Sequence, residues 1–159
     1  MLKIMMLKNI TFSKMTTFDL QSIAPILVSD FDNFWKLDVL KSELESPSSY
    51  YFVIKNNEEI VGFAGIKVIL DEADIMDIVI KKSYRGNGLG KLLMEYLISF
   101  ARSLKLLSLT LEVREDNYSA IALYTKLGFI KVGLRKNYYD GKNAILMNLP
   151  LISEEKSKF

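Results

Sequence analysis

Read from its N-terminus, the chain switches repeatedly between two hydrophobic periods. Ile10 to Lys14 alternates apolar and polar side chains and predicts a strand. Thr16-x-x-Asp19 is a helix-start pattern that predicts a helix through about Val28, and Leu37 to Leu44 predicts a second, closed by Glu45-Ser46-Pro47. Tyr50 to Lys55 and Ile60 to Ile69 flank the polar Asn56-Asn57-Glu58-Glu59 and predict a hairpin. Leu70-Asp71-Glu72 then turns the chain into a further strand over 73–80. Leu89, Leu92, Leu93, Tyr96, Leu97 and Phe100 recur on one helical face, which predicts a helix to about Leu104. Ser108 to Val113 alternates again, Asn117 to Lys126 is helical up to a stop at Gly128, and Phe129 to Leu134 and Ala144 to Leu149 predict two closing strands.

Three or four antiparallel strands, then β-α-β-α, then two last strands describe an α/β (α+β mixed) protein. Its sheet would be mixed but mostly antiparallel, of about seven strands, with helices on both faces. There is no linker and no repeat, so residues 1–152 are expected to form one domain, followed by a polar, frayed tail from Ser153 to Phe159. Met1 to Lys8 has too short an apolar block for a signal peptide, and Met5 or Met6 would serve equally as a start. No apolar run reaches the roughly eighteen residues of a membrane-crossing helix.

Composition removes several chemistries. The chain has 159 residues, half of them hydrophobic and a quarter charged, with a net charge of +2, too small for a nucleic-acid surface. It has no histidine and no cysteine. A Ser-His-Asp triad, a His-ligated zinc site, a thiol nucleophile and disulfides are therefore excluded. No metal is expected, and acid–base work falls to Glu, Asp, Lys or Tyr.

The strand over 73–80 runs into Tyr84-Arg85-Gly86-Asn87-Gly88-Leu89-Gly90-Lys91, and the long helix follows. Glycines at a strand-to-helix junction let backbone amides approach an anion, and a helix start adds partial positive charge. Lys81, Lys82, Arg85 and Lys91 gather nearby, which suits a polyanion. A Walker loop would need glycine at Arg85 and a hydroxyl at Leu92; a Rossmann fingerprint would need glycine at Lys91. What remains is Arg85-x-x-Gly88-x-Gly90, read either as a plain turn or as a phosphate cradle.

Arg85-x-x-Gly88-x-Gly90 resembles the pyrophosphate-binding signature of the GCN5-related N-acetyltransferases (GNAT). A second segment of that family resembles Leu111-Glu112-Val113-Arg114 followed by Asn117-x-x-Ala120-Ile121-x-Leu123-Tyr124-x-x-x-Gly128-Phe129. Two motifs in the family's order are far more specific than either alone. Val68 to Ala73 and Lys136-Asn137-Tyr138-Tyr139 are similar to one branch, the RimI type, which acetylates the N-terminal alanine of a small-subunit ribosomal protein. The likeness spans about Ile10 to Pro150.

The resemblance implies acetyl-coenzyme A as cosubstrate. Gly86, Asn87, Gly88, Leu89, Gly90 and Lys91, with Arg85, would take its pyrophosphate. Ile78, Val79 and Ile80 would offer backbone to the pantetheine arm and the thioester oxygen, and Asn117 a further cofactor contact. Read by residue type alone, Glu112 is an exposed strand carboxylate, Tyr124 a core aromatic and Asn117 a helix cap. The family pattern makes Glu112 the proton acceptor, through water, and Tyr124 the proton donor to the departing thiolate. An N-terminal amine, with pKa about 7.7–8.0 against about 10.4 for lysine, suits a modest carboxylate relay. Tyr138 and Tyr139, expected in the loop between the last strands, and Phe34 and Trp35 opposite would contact the peptide. Lys82 stands where the family often has proline, Val79 where it has a small residue, and Asn33-Phe34-Trp35 lacks a proline. The implied protein is a cytoplasmic enzyme, a monomer or weak dimer, acting on a protein N-terminus, with no nucleic-acid or membrane partner. Acetylation of lysine, polyamine or small amines, or a non-catalytic coenzyme-A-binding role, stay open.

Overall fold

The computed structural model describes residues 7–33, 36–139 and 141–152. Seven strands join in one sheet, β1 (Ile10–Lys14), β2 (Ser49–Asn56), β3 (Glu59–Ile69), β4 (Glu72–Ile80), β5 (Ser108–Arg114), β6 (Ile130–Tyr139) and β7 (Lys142–Pro150), in the order β1-β2-β3-β4-β5-β7-β6. Neighbours pair antiparallel at β1–β2, β2–β3, β5–β7 and β6–β7, and parallel at β4–β5. Among the described residues the α-helices are α1 (Thr17–Ile23), α2 (Leu27–Phe31), α3 (Leu37–Glu45), α4 (Leu89–Ser103) and α5 (Tyr118–Lys126). This is the mixed, mostly antiparallel α/β class that the periodicity predicts.

By chain contacts the molecule divides into two compact units, one of residues 1–67 with 76–97, the other of 68–75 with 98–159. In the first, Met15, Leu20, Ile23, Leu27, Phe31, Leu40, Tyr51, Val53, Ile60 and Phe63 form a buried cluster. The Phe31 and Phe63 rings meet at 5.9 Å, tilted 53°. Burying one such side chain contributes about 1.5–3 kcal/mol. The second unit buries Leu106, Leu109, Leu111, Val113, Tyr124, Phe129, Ala144, Met147 and Leu149.

Most predicted boundaries hold within two residues. Thr16 closes a capping box, with its Oγ1 accepting from Asp19 N at 3.0 Å and Asp19 Oδ2 accepting from Thr16 N at 2.9 Å. The helix expected through Val28 is instead broken. Pro25, which has no N–H to donate, sits in a single 3-10 turn over 24–26, and helix resumes from Leu27 to Phe31. The β2–β3 turn narrows to Asn57 and Glu58, with Asn57 at φ +56°.

A second correction concerns the last hairpin. Tyr138 and Tyr139 lie on β6, not in a loop, and Tyr139 pairs with Lys142. β6 stays in the sheet by skipping register twice, between Lys131 and Gly133 and between Arg135 and Tyr139, with Asn137 at φ +55° absorbing the second shift.

Candidate active site

The glycine loop lies between the end of β4 and the start of α4. After Ile80 a single 3-10 turn, Lys82–Tyr84, leads to Arg85 and the glycines. Gly86 and Gly88 stand at φ +81° and +80°, and a Cβ on either would meet nothing within 4 Å. Glycine is needed there for the left-handed backbone, not for lack of space. The first helical bond of α4 runs from Leu92 N to Gly88 O at 3.2 Å. The amides of Leu89, Gly90 and Lys91 therefore precede it and have no helical acceptor, at the positive end of a fifteen-residue helix. Asn87 Nδ2 donates to Tyr84 O at 3.0 Å and to Arg85 O at 3.4 Å, which closes the loop on itself.

Most of the cations that gather near the loop are paired with carboxylates. Arg85 Nε donates to Ile80 O at 2.9 Å, one Nη donates to Phe31 O at 3.3 Å, and the other pairs with Asp32 at 3.0 Å. Lys82 pairs with Asp32 at 2.9 Å, and Lys81 with Glu59 at 2.9 Å and Asp30 at 3.7 Å. The hydrogen bond from Lys82 holds the Asp32 carboxyl below the usual carboxylate range, and the bond to Glu59 pushes Lys81 up. Asp32, at the αL end of α2, thus pins the loop, and Arg85 acts as a stay between strand end and helix end. Lys91 differs: its side chain is 63% exposed and its contact with Glu95 is 3.9 Å long. What the loop could offer an anion is the amides at the start of α4 and Lys91, the other charges being largely neutralised in pairs.

The same unit holds a polar cluster that the sequence reading did not single out. Asp77, on β4 just before Ile78, is buried and accepts from Tyr51 Oη at 3.1 Å and Asn33 Nδ2 at 3.4 Å. A Cβ on Gly65 would collide with the Tyr51 ring, so glycine lets that ring lie across β3 to reach β4. Burial pushes the Asp77 carboxyl up to about 7. Gly62 likewise admits the backbone beside Val79, whose carbonyl lies 2.8 Å from where a Cβ would stand. Phe34 and Trp35 lie outside the described residues.

In the second unit the parallel ladder of β4 with β5 covers only three pairs, Glu72 with Ser108 to Asp74 with Thr110. β7 accompanies β5 along its whole length, from Ser108 to Arg114. Among the described residues, then, Leu111–Arg114 pairs with a strand on one side only. Alternation buries Leu109, Leu111 and Val113 and turns Glu112 to the other face, its side chain 24% exposed. Glu112 Oε1 meets Arg135 of β6 at 2.9 Å, and the Arg135 guanidinium lies 4.8 Å from the centre of the Tyr138 ring.

Asn117 caps α5, accepting from Ala120 N at 3.3 Å, so the cap reading is met. Tyr124, one α5 turn before the Gly128 stop, is buried, with its ring 5.9 Å from that of Phe129. Desolvation raises its pKa, which keeps the phenol protonated across the physiological range. It can donate a hydrogen bond to a departing anion.

Comparison with known proteins settles the class. The profile of the acetyltransferase (GNAT) family matches residues 20–129. The chain belongs to this family. A Mycobacterium tuberculosis strain H37Rv protein named N-alpha-acetyltransferase RimI is 35% identical over 136 residues, 82% of this chain and 84% of that one. The ribosomal protein bS18-alanine N-acetyltransferase of Escherichia coli K12 is 41% identical over 104 residues, 63% of this chain and 70% of that one. The crystal structure of an Escherichia coli ribosomal-protein-S18-alanine N-acetyltransferase superposes with a TM-score of 0.83 at 35% identity, covering 92% of this chain and 97% of that one.

Within this GNAT chain the structure brings Glu112 and Tyr138 together through Arg135, which the sequence reading passed over. Its only signal was a basic residue two positions from Gly133 on an alternating strand. Asp77 was visible as a lone carboxylate in the apolar Ile75-Met76-Asp77-Ile78-Val79-Ile80 run. Among the described residues no group of three or more carboxylates forms a metal site. No helix of these residues is long and apolar enough to cross a membrane.

Proposed function

We propose that this protein transfers the acetyl group of acetyl-coenzyme A directly to the N-terminal α-amine of a protein, an N-terminal alanine of a ribosomal protein being the favoured acceptor. The reading rests on one observation above the others. Relatives matched over most of the chain at 35% to 41% identity are named for that α-amine chemistry.

In this reading the amides of Gly86 to Lys91, with Lys91 itself, seat the diphosphate, and Arg85 braces the loop that presents them. The backbone of Ile78, Val79 and Ile80 receives the pantetheine arm. Asn117 adds a cofactor contact besides its cap. Glu112 accepts, through a water, the proton that the amine releases as its nitrogen bonds to the thioester carbon. Tyr124 places its hydroxyl proton on the sulfur as the carbon–sulfur bond breaks. At reference values of about 10 for a phenol and about 8.5 for a thiol, full transfer is uphill by about 2 kcal/mol, and the burial that raises the Tyr124 phenol adds to it. No cysteine is available to hold the acetyl group between half-reactions, which favours both substrates bound together. Phe34, Trp35, Tyr138 and Tyr139 would line the peptide's path. A single N-acetyltransferase domain over residues 1–152 and a cytoplasmic location belong to the same proposal.

Release of free thiol from acetyl-coenzyme A tests it, with peptides beginning Ala, Ser, Met-Leu and Met-Glu. An acetyl-blocked Ala peptide carrying an internal lysine and a polyamine complete the panel. Turnover with free Ala or Ser peptides, and with neither control, is the expected result. Turnover that follows lysine or polyamine would move the protein to the small-amine and lysine class. Cofactor binding with no thiol release across the panel would mark a non-catalytic module.

A further inference from the structure

Glu112 is held by a chain of contacts that starts at the far end of β6. In the sheet register, Glu112 sits opposite Leu146, which sits opposite Gly133; the next row on the same face is Arg114, Ala144 and Arg135. Arg135 thus lies diagonally across β7 from Glu112. On that diagonal Ala144 offers only a methyl group, while the Leu146 side chain leans over Gly133, so the arginine crosses β7 on the Ala144 side. Its contact runs from one Nη to Oε1 of Glu112 at 2.9 Å. The guanidinium, half exposed, is restrained in turn by the face of Tyr138.

The backbone around this chain is clamped. Asn143 donates from its N to Glu115 Oε1 at 3.3 Å and from Nδ2 to Glu115 Oε2 at 3.1 Å. Its own Oδ1 accepts from Asn137 N at 3.1 Å, and its carbonyl accepts from Glu115 N at 3.0 Å. The end of β5, the start of β7 and the kink of β6 are tied through one asparagine. Part-exposed ion pairs contribute little to stability. A built contact of this kind is better explained by the geometry it imposes.

We infer that Arg135 is a positioning residue that aims Glu112, and that Tyr138 acts on the reaction through Arg135. This rests on the reading of Glu112 as proton acceptor. A glutamate side chain has three rotatable bonds, and proton acceptance through one ordered water requires its carboxylate in a single orientation. Arg135 supplies that constraint, and a lysine, lacking the planar fork and weaker at stacking, supplies it only in part.

The test is steady-state thiol release by the full chain with an Ala-initiated peptide. Arg135→Gln is expected to lower kcat between about 10- and 100-fold, the scale of a misaimed catalytic group, while KM for acetyl-coenzyme A stays within about twofold. Arg135→Lys should recover part of that loss. In a Glu112→Gln background the further loss from Arg135→Gln should shrink below about twofold, because the group being aimed is gone. Tyr138→Leu should lower kcat, Tyr138→Phe should restore most of what Leu loses, and Tyr138→Leu should add nothing to Arg135→Gln. Thermal unfolding of each variant separates a folding defect, and Arg135→Lys carries the comparison if Arg135→Gln unfolds early. Full kcat in Arg135→Gln, or an undiminished effect in the Glu112→Gln background, would overturn the inference. So would a Tyr138→Leu effect confined to peptide KM, which would leave Tyr138 its peptide contact alone and no action through Arg135. If Glu112→Gln itself keeps full turnover, the acceptor assignment fails first; if only Arg135→Gln does, that assignment stands and the positioning role falls.

Discussion

Around the glycine loop, Lys81, Lys82 and Arg85 are each tied to a carboxylate, and the open groups are backbone amides. On β5 the arrangement is inverted: the carboxylate Glu112 is the group of interest, and a cation from another strand holds it. On the proposed reading the first region would bind by backbone conformation, written in its glycines, with most nearby charge already paired. The second depends on one side chain being aimed, so its chemistry is written in contacts between strands. Binding and turnover should therefore fail separately.

Glu112→Gln should separate them most sharply. Turnover with an Ala peptide is expected to fall about 100-fold or more, with acetyl-coenzyme A affinity by calorimetry nearly unchanged. Tyr124→Phe comes next, with kcat down between about 10- and 100-fold and the fold retained, because the ring that packs on Phe129 remains.

On the other side of the comparison, Gly88→Val should raise KM for acetyl-coenzyme A about tenfold with kcat at saturation little changed. A Cβ has space at Gly88, so the loss must come from the left-handed backbone, whose cost for a β-branched residue is about 1–2 kcal/mol or more. A loss in kcat instead would mean the loop does more than bind.

The smallest effect on turnover is expected from Asp77→Asn, and it appears in stability. Burial raises the Asp77 carboxyl from 3.8 to about 7, so the folded chain keeps a proton that the unfolded chain releases between those values. Stability from this group is full below about pH 4 and is lost as pH rises through about 7, by a few kcal/mol at most. Asp77→Asn should flatten the dependence of unfolding free energy on pH across that window, as followed by denaturant titration. An unchanged slope would show that Asp77 is ionised at little cost in the folded protein.

Much of this molecule was legible in its residues alone. Strand and helix periods, the capping box at Thr16 and Asp19, the Asn117 cap and the glycine loop are local, each depending on a few consecutive residues and their backbone preferences. The pattern also marked Glu112 as a polar residue on an alternating strand, and Tyr124 as an aromatic on an apolar helix face. Local reading misplaced Pro25 inside a continuous helix. It also placed Tyr138 and Tyr139 in a loop, because two register skips keep β6 in the sheet past the point where alternation fades.

What tertiary structure alone decided is which charges are spent on each other. Arg85 meets Asp32 across 53 positions and Asn33 meets Asp77 across 44, and Arg135 reaches Glu112 over an intervening strand. Such pairings depend on register and on which small residues let side chains pass, as Gly65 does for Tyr51. Backbone preference is a property of neighbours in the chain and can be read there. Electrostatic partnership is a property of neighbours in space, set only when the sheet has closed.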